Sequence, residues 1–379
     1  MMWPNKLPPR SNTKQYLVSG LIVIGGLALL TLGGCLLPAA IYTVIRYPRG
    51  IEFIDAQSGG SRFVAATGLT REWLAGIGED RESCLTLHRE GDAIIARVRE
   101  LDGQVRSERR LPLLTGPHPS FYENALAITR DLERVAFYDL STKGIVLYDA
   151  STGRQKELFF NAGSTGAGVA FMRFLKNNQL LLVLNQDRKL ERGAVVVLLI
   201  DTDTGSATSL LKEERAFWGT SDVAVSPSHR LAVISTRPSS DRLRQTIRVF
   251  DLASCQQVAS ISDSGTGFIY LYSVCFSPAS QMIGWIRATN DGNAVMVSPL
   301  SGGSPRLVKL YPKDTRCTNL TFLDEQTLVL TMSEKEAPTK RLVAVNIPSG
   351  EERLYSEKAF WGKVLVAGER PVILCEMGY

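Results

Sequence analysis

The chain has 379 residues, 44% of them apolar and 21% charged, which suits one large repeat domain or two ordinary ones with a packed core. Its net charge of +5 resides in residues 1–50, which hold Lys6, Arg10, Lys14, Arg46 and Arg49 and no acid, so the remainder is balanced. A neutral domain lacks the basic surface that nucleic-acid binding needs, and nucleic acid is excluded as a partner on that ground.

In chain order, residues 1–15 form a basic tail and residues 16–46 a predicted transmembrane anchor. Leu17 through Ile45 carry no charge, and about 20 apolar residues suffice to cross a bilayer. Two alternatives compete with an uncleaved span. One is a cleaved signal peptide. The other is lipidation at Cys35, because Leu32-Gly33-Gly34-Cys35 resembles the bacterial lipobox, although Leu36 to Ile45 stays apolar where that pattern turns polar. Lys6, Arg10 and Lys14 before the span outnumber Arg46 and Arg49 after it. That bias favours a cytoplasmic N-terminus and an extracytoplasmic domain.

Residues 51–379 read as repeats. Ala125–Ile128, Arg134–Tyr138, Gly144–Tyr148 and Arg154–Leu158 each have the length and alternation of a strand, separated by polar turns. The turn Asp149-Ala-Ser-Thr-Gly153 recurs as Asp201-Thr-Asp-Thr-Gly205, Asp251-Leu-Ala-Ser-Cys255, Leu300-Ser-Gly-Gly303 and Asn346-Ile-Pro-Ser-Gly350. Leu101-Asp-Gly103 and Asp55-Ala-Gln-Ser-Gly-Gly60 precede them. A period of about 40–50 residues predicts four-stranded propeller blades. The expected fold is therefore all-β, a seven-bladed β-propeller preceded by a single N-terminal transmembrane helix. Lys363–Met377 matches only the first hairpin of a blade, and Gly50–Ala65 supplies the missing second hairpin. Pairing them closes the ring and hides edge strands.

Asp222-Val-Ala-Val-Ser-Pro, Ser273-Val-Cys-Phe-Ser-Pro and Asn319-Leu-Thr-Phe-Leu-Asp align as first hairpins. On these motifs the chain resembles the WD-repeat-like and YVTN-type bacterial propellers over roughly residues 51–379. It lacks the Gly-His and Trp-Asp pairs of true WD repeats. Charged middle-hairpin loops are expected at Gln186–Arg192, Thr236–Gln245 and Ser333–Arg341.

Catalytic motifs are scarce. There is no G-x-S-x-G elbow, no H-E-x-x-H and no Walker loop. His88, His118 and His229 scatter over the repeats, so no metal site, cofactor or catalytic residue is assigned. Asn124, Asp222 and Asn319 begin inner strands, but one carboxylate with two amides makes a poor cation cage. The feature above background is aromatic. Glu214-Arg-Ala-Phe217-Trp218-Gly recurs as Glu357-Lys-Ala-Phe360-Trp361-Gly, and neighbouring connections carry Phe121 with Tyr122 and Tyr270 with Tyr272. These residues either ring the channel mouth as a binding surface or wedge adjacent blades together.

The expected function is a non-enzymatic scaffold held at the membrane by residues 17–45, presenting its loop face to a protein or an envelope polymer. Two alternatives stand beside it: a metal-assisted hydrolase or lactonase using the channel, and a lipidated envelope assembly factor that depends on Cys35.

Overall fold

The computed structural model describes residues 50–65, 72–77, 82–90, 93–112, 126–139, 142, 144–160, 168–175, 178–186, 194–214, 216–217, 223–238, 244–264, 269–334, 340–358, 360–368 and 371–377. The expected transmembrane helix and Cys35 lie outside them. Among the described residues there is no helix long and apolar enough to cross a membrane.

The chain opens with β1 (Gly50–Asp55) and β2 (Ser61–Ala65), then makes its first complete blade from β3 (Glu72–Ile77), β4 (Ser83–Glu90), β5 (Ala93–Glu100) and β6 (Val105–Pro112). The second blade is β7 (Leu126–Ile128), β8 (Arg134–Asp139), β9 (Gly144–Asp149) and β10 (Gln155–Phe160). The third is β11 (Gly168–Phe174), β12 (Gln179–Gln186), β13 (Ala194–Asp201) and β14 (Ala207–Glu214).

In the fourth blade the inner strand is split. Both β15 (Ala216–Phe217) and β16 (Val223–Val225) pair with β17 (Leu231–Pro238), which leads to β18 (Arg244–Asp251) and β19 (Gln256–Ser264). The fifth blade is β20 (Ile269–Phe276), β21 (Met282–Thr289), β22 (Gly292–Pro299) and β23 (Arg306–Pro312), and the sixth is β24 (Thr315–Asp324), β25 (Thr327–Glu334), β26 (Lys340–Asn346) and β27 (Glu352–Lys358). The chain ends with β28 (Phe360–Ala367) and β29 (Val372–Met377). β1 pairs antiparallel with β29 from Gly50↔Met377 to Asp55↔Val372, giving a seventh sheet in the order β2-β1-β29-β28.

The result is an all-β, seven-bladed propeller. Its core is divided among the contacts between neighbouring blades, each of which holds an apolar cluster. Leu181 and Val183 of β12 pack toward the fourth blade, while Leu180, Leu182 and Leu184 of the same strand pack toward the second. A strand buried on both faces reads as a continuous apolar run, and β12 and β13 do. Ile51 and Phe53 of the closing blade meet Leu74 and Cys84 of the first, so the ring is continuous across the chain ends.

The recurring turn has a common geometry. Asp149 Oδ1 accepts from the backbone N–H groups of Ser151 (2.9 Å) and Thr152 (3.0 Å), and Asp201 and Asp251 repeat the arrangement on Asp203 and Thr204 and on Ala253 and Ser254. The turn then passes through the left-handed region at Gly153 (φ 70°) and Gly205 (φ 81°). Cys255 adopts the same region (φ 56°), at the cost a Cβ brings there.

Outer strands are managed in two ways. Where β6, β10, β14, β19, β23 and β27 pair with their inner neighbours, the ladder carries a bulge; β2 pairs with β1 without one. Bulges twist an exposed edge away from further pairing. Cations on outer strands also reach the next blade's turns. Arg109 donates to Leu132 O (3.2 Å), Lys309 to Gly350 O (3.2 Å) and Arg353 to Gln57 O (3.1 Å).

Candidate functional site

In this topology the connections between blades and the middle hairpins emerge on one face of the ring. The chain ahead of Gly50 joins on the same face, because β1 occupies the third-strand position and Gly50 pairs with Met377. Of the aromatic residues singled out by sequence, Phe217, Tyr270, Tyr272, Phe360 and Trp361 lie in the inner strands β15, β20 and β28, toward the ends that join this face.

Tyr270 and Tyr272, two apart on β20, stack with ring centroids 5.2 Å apart and planes at 22°. Tyr272 is buried, and its hydroxyl lies 3.0 Å from Asn293 Oδ1 and 2.8 Å from the carbonyl of Cys317 in the sixth blade. Asn293 Nδ2 donates to Thr315 O on the same neighbouring strand (2.7 Å). Tyr272 therefore ties two blades together. Phe217 sits in β15 opposite Arg237 of β17. Phe360 pairs with Met377, and Trp361 falls where the β28–β29 register is interrupted between Phe360 and Val364. Trp218, Phe121 and Tyr122 lie outside the described residues.

Similar polar ties recur at two other blade contacts. Gln245 of β18 uses its whole amide on Leu271: Nε2 donates to the carbonyl (2.7 Å) and Oε1 accepts from the N–H (2.5 Å). Glu376 Oε1 accepts from Leu74 N (2.5 Å), joining the closing blade to the first. A buried backbone group on an inner strand needs a partner, and here the preceding blade supplies it.

Sequence reasoning also missed a buried ion network in the first blade. Glu72, 1% exposed, accepts from Thr86 Oγ1 (2.6 Å) and from Arg99 Nε and Nη2 (2.9 and 3.2 Å), with Arg97 Nη1 at 3.6 Å. The alternation of Thr86, Arg97 and Arg99 with apolar neighbours was the available signal.

Of the three polar residues considered for the channel, Asn124 and Asp222 lie outside the described residues. Asn319 does not begin a strand. It occupies a bulge within β24 in the left-handed region (φ 54°), and its Nδ2 donates to Thr331 Oγ1 (3.2 Å) in its own blade. His88 is buried on β4, and His229 lies in the first-hairpin turn of the fourth blade. Among the described residues no group of three His, Cys, Asp or Glu could hold a metal ion. Cys84, Cys255, Cys275, Cys317 and Cys375 are free thiols, and burial pushes Cys84 and Cys317 up to about 12. Such thiols are poor nucleophiles.

No family model matches the chain, and no curated protein matches it either. Solved structures do. An oligogalacturonate lyase from Vibrio parahaemolyticus is 9% identical with a TM-score of 0.56, covering 87% of this chain and 97% of its own. An oligogalacturonate lyase in complex with manganese is 10% identical with a TM-score of 0.54, covering 88% and 97%. A TolB-like protein from Agrobacterium tumefaciens is 10% identical with a TM-score of 0.46, covering 88% and 98%. At these identities the likeness to the two lyases is one of fold, and what the chain shares with them is the propeller.

Proposed function

We propose that this chain is a propeller scaffold anchored at the membrane by residues 17–45, binding a protein or an envelope polymer on its loop face. The observation that carries the reading is the placement of β1. Residues 46–49 join an uncharged stretch long enough to span a bilayer directly to Gly50, on the face that also carries the blade connections. Four extended residues reach at most about 14 Å, so the loop face would lie close to the bilayer. A partner would then be a membrane component or would thread between ring and membrane. The aromatics Phe121, Tyr122, Phe217, Trp218, Phe360 and Trp361, which the sequence sets in or beside the blade connections, would supply contact area at low entropic cost.

The test is site-specific photocrosslinking in bacterial cells expressing the full chain. A photoreactive residue at Glu90 or Glu334, each exposed at the end of a second strand, samples the loop face, and one at Thr204 samples the opposite face. Defined crosslinks from the first two and none from the third support the proposal. Crosslinks from Thr204 alone would overturn it. A reporter enzyme fused to Tyr379 and active only outside the cytoplasm checks the extracytoplasmic placement. Unchanged membrane attachment in Cys35→Ala would remove the lipidated alternative.

A further inference from the structure

The inner strands of the seven blades surround the ring axis, and one ionised side chain there has no hydrogen-bond or ion-pair partner among the described residues. Arg173 lies on β11, paired with Leu181 of β12 and one residue before the last ladder pair, Phe174↔Leu180. At the same register of other inner strands stand Gly76, Ala127, Ala224 and Cys275. All are small and uncharged, so Arg173 is the charge of this layer among the described residues compared.

Its side chain reaches from the third blade to the first. Arg173 Nη2 lies 4.0 Å from the position a Cβ on Gly76 would take, although Gly76 belongs to the first blade and the second blade stands between them in sequence. No other described side chain or backbone atom outside the glycine's chain neighbours lies within 4 Å of that Cβ position. The residue is partly buried, and no hydrogen bond or ion pair joins it to a described residue. Burial pulls the guanidinium below the usual arginine range.

Two other arginines of the described residues, one buried and one partly buried, are neutralised. Arg99 has Glu72, and Arg248 forms a two-point pair with Glu213 at 2.9 and 3.0 Å. A guanidinium left unpaired inside a protein is destabilising unless something answers it, because desolvation penalises the isolated charge. Its planar fork matches the two oxygens of a carboxylate, and its single charge balances one carboxylate but not a phosphate dianion.

We propose that the axis of the ring is a binding site for a carboxylate-bearing ligand, held two-point by Arg173 in the space beside Gly76. The site is distinct from the loop-face surface and does not depend on a membrane partner.

The full chain in nonionic detergent is titrated with sodium acetate against sodium chloride at equal ionic strength, and the melting temperature is read. Acetate should raise it saturably by a few °C, since a ligand of the native state stabilises by mass action. N-acetyl-trialanine should act likewise if a chain-terminal carboxylate is the source, and its C-terminal amide should not. Phosphate equal to or better than acetate would overturn the carboxylate assignment. Arg173→Met should abolish the response. If that variant does not fold, Gly76→Asp gives the second reading: an internal carboxylate facing Arg173 should raise the melting temperature and remove sensitivity to acetate. An acetate response unchanged in Gly76→Asp, or absent from the unmodified chain, would overturn the proposal.

Discussion

Glu376 Oε1 accepts a hydrogen bond from the backbone N–H of Leu74 at 2.5 Å, across 302 residues of sequence. Glu376 is 1% exposed, and Leu74 is fully buried. The bond bridges the seam where the ring closes. Glu376→Ala leaves the Leu74 N–H buried without this acceptor and should cost about 1–3 kcal/mol. Glu376→Gln keeps an acceptor and should lose less. Denaturant midpoints of the two variants check this; equal losses would mean that the bond itself contributes nothing.

Deleting Arg370–Tyr379 removes β29 and leaves β1 and β28 without the strand that joins them. Two unpaired edges then template association. The expected product is aggregated, as read by size-exclusion chromatography. A soluble product with one cooperative melt would contradict closure as the source of stability.

Acid should act through the blade turns. Hydrogen bonds from the Ser151 hydroxyl and the Thr152 N–H hold Asp149 at about 2, and Asp201 and Asp251 are lowered chiefly by the N–H groups of Thr204 and Ser254. A carboxylate with a depressed folded value stabilises the native state above its unfolded value and loses that contribution as pH falls through the folded one. The window runs from about pH 4 to about pH 2. A triple Asp→Asn variant at 149, 201 and 251 keeps the acceptors but not the charges. Its melting temperature should fall less steeply over that window than the unmodified chain's, and parallel curves would rule out the turns as the titrating groups.

Tyr272→Phe tests whether this part of the rim is structural. The hydroxyl it removes is buried against Asn293 and Cys317, so a loss of about 1 kcal/mol is expected. Crosslinking yield at the loop face should not change. Lost crosslinking at full stability would instead make Tyr272 a contact residue.

Blade number and strand order were legible because the turns advertise themselves. Asp149, Asp201 and Asp251 recur as turn formers, the first two followed by a glycine that tolerates positive φ, and that chemistry is local. The apolar runs of β12 and β13 followed from burial on both faces. Side-chain destinations were not legible. Arg173 sits within Phe171-Met172-Arg173-Phe174, and nothing nearby in sequence says that a glycine of the first blade lies beside its guanidinium. Glu72 and Glu376 stand at or next to strand ends, where a charge is ordinarily solvated, yet both are buried against partners distant in the chain. The separate strands β15 and β16 and the inner-strand bulge at Asn319 likewise fall on inner strands, which contact those of neighbouring blades, a surrounding no single blade encodes.

The placement of β1 has a mechanical side. β1 is an interior strand, held by six pairs to β29 and five to β2. Its hydrogen bonds lie across the strand direction, so a pull on the chain ahead of Gly50 loads both ladders in shear, all rungs sharing the force together. An edge strand pulled outward would peel one rung at a time. A ring tugged through its N-terminal segment is thus gripped where its clasp is strongest.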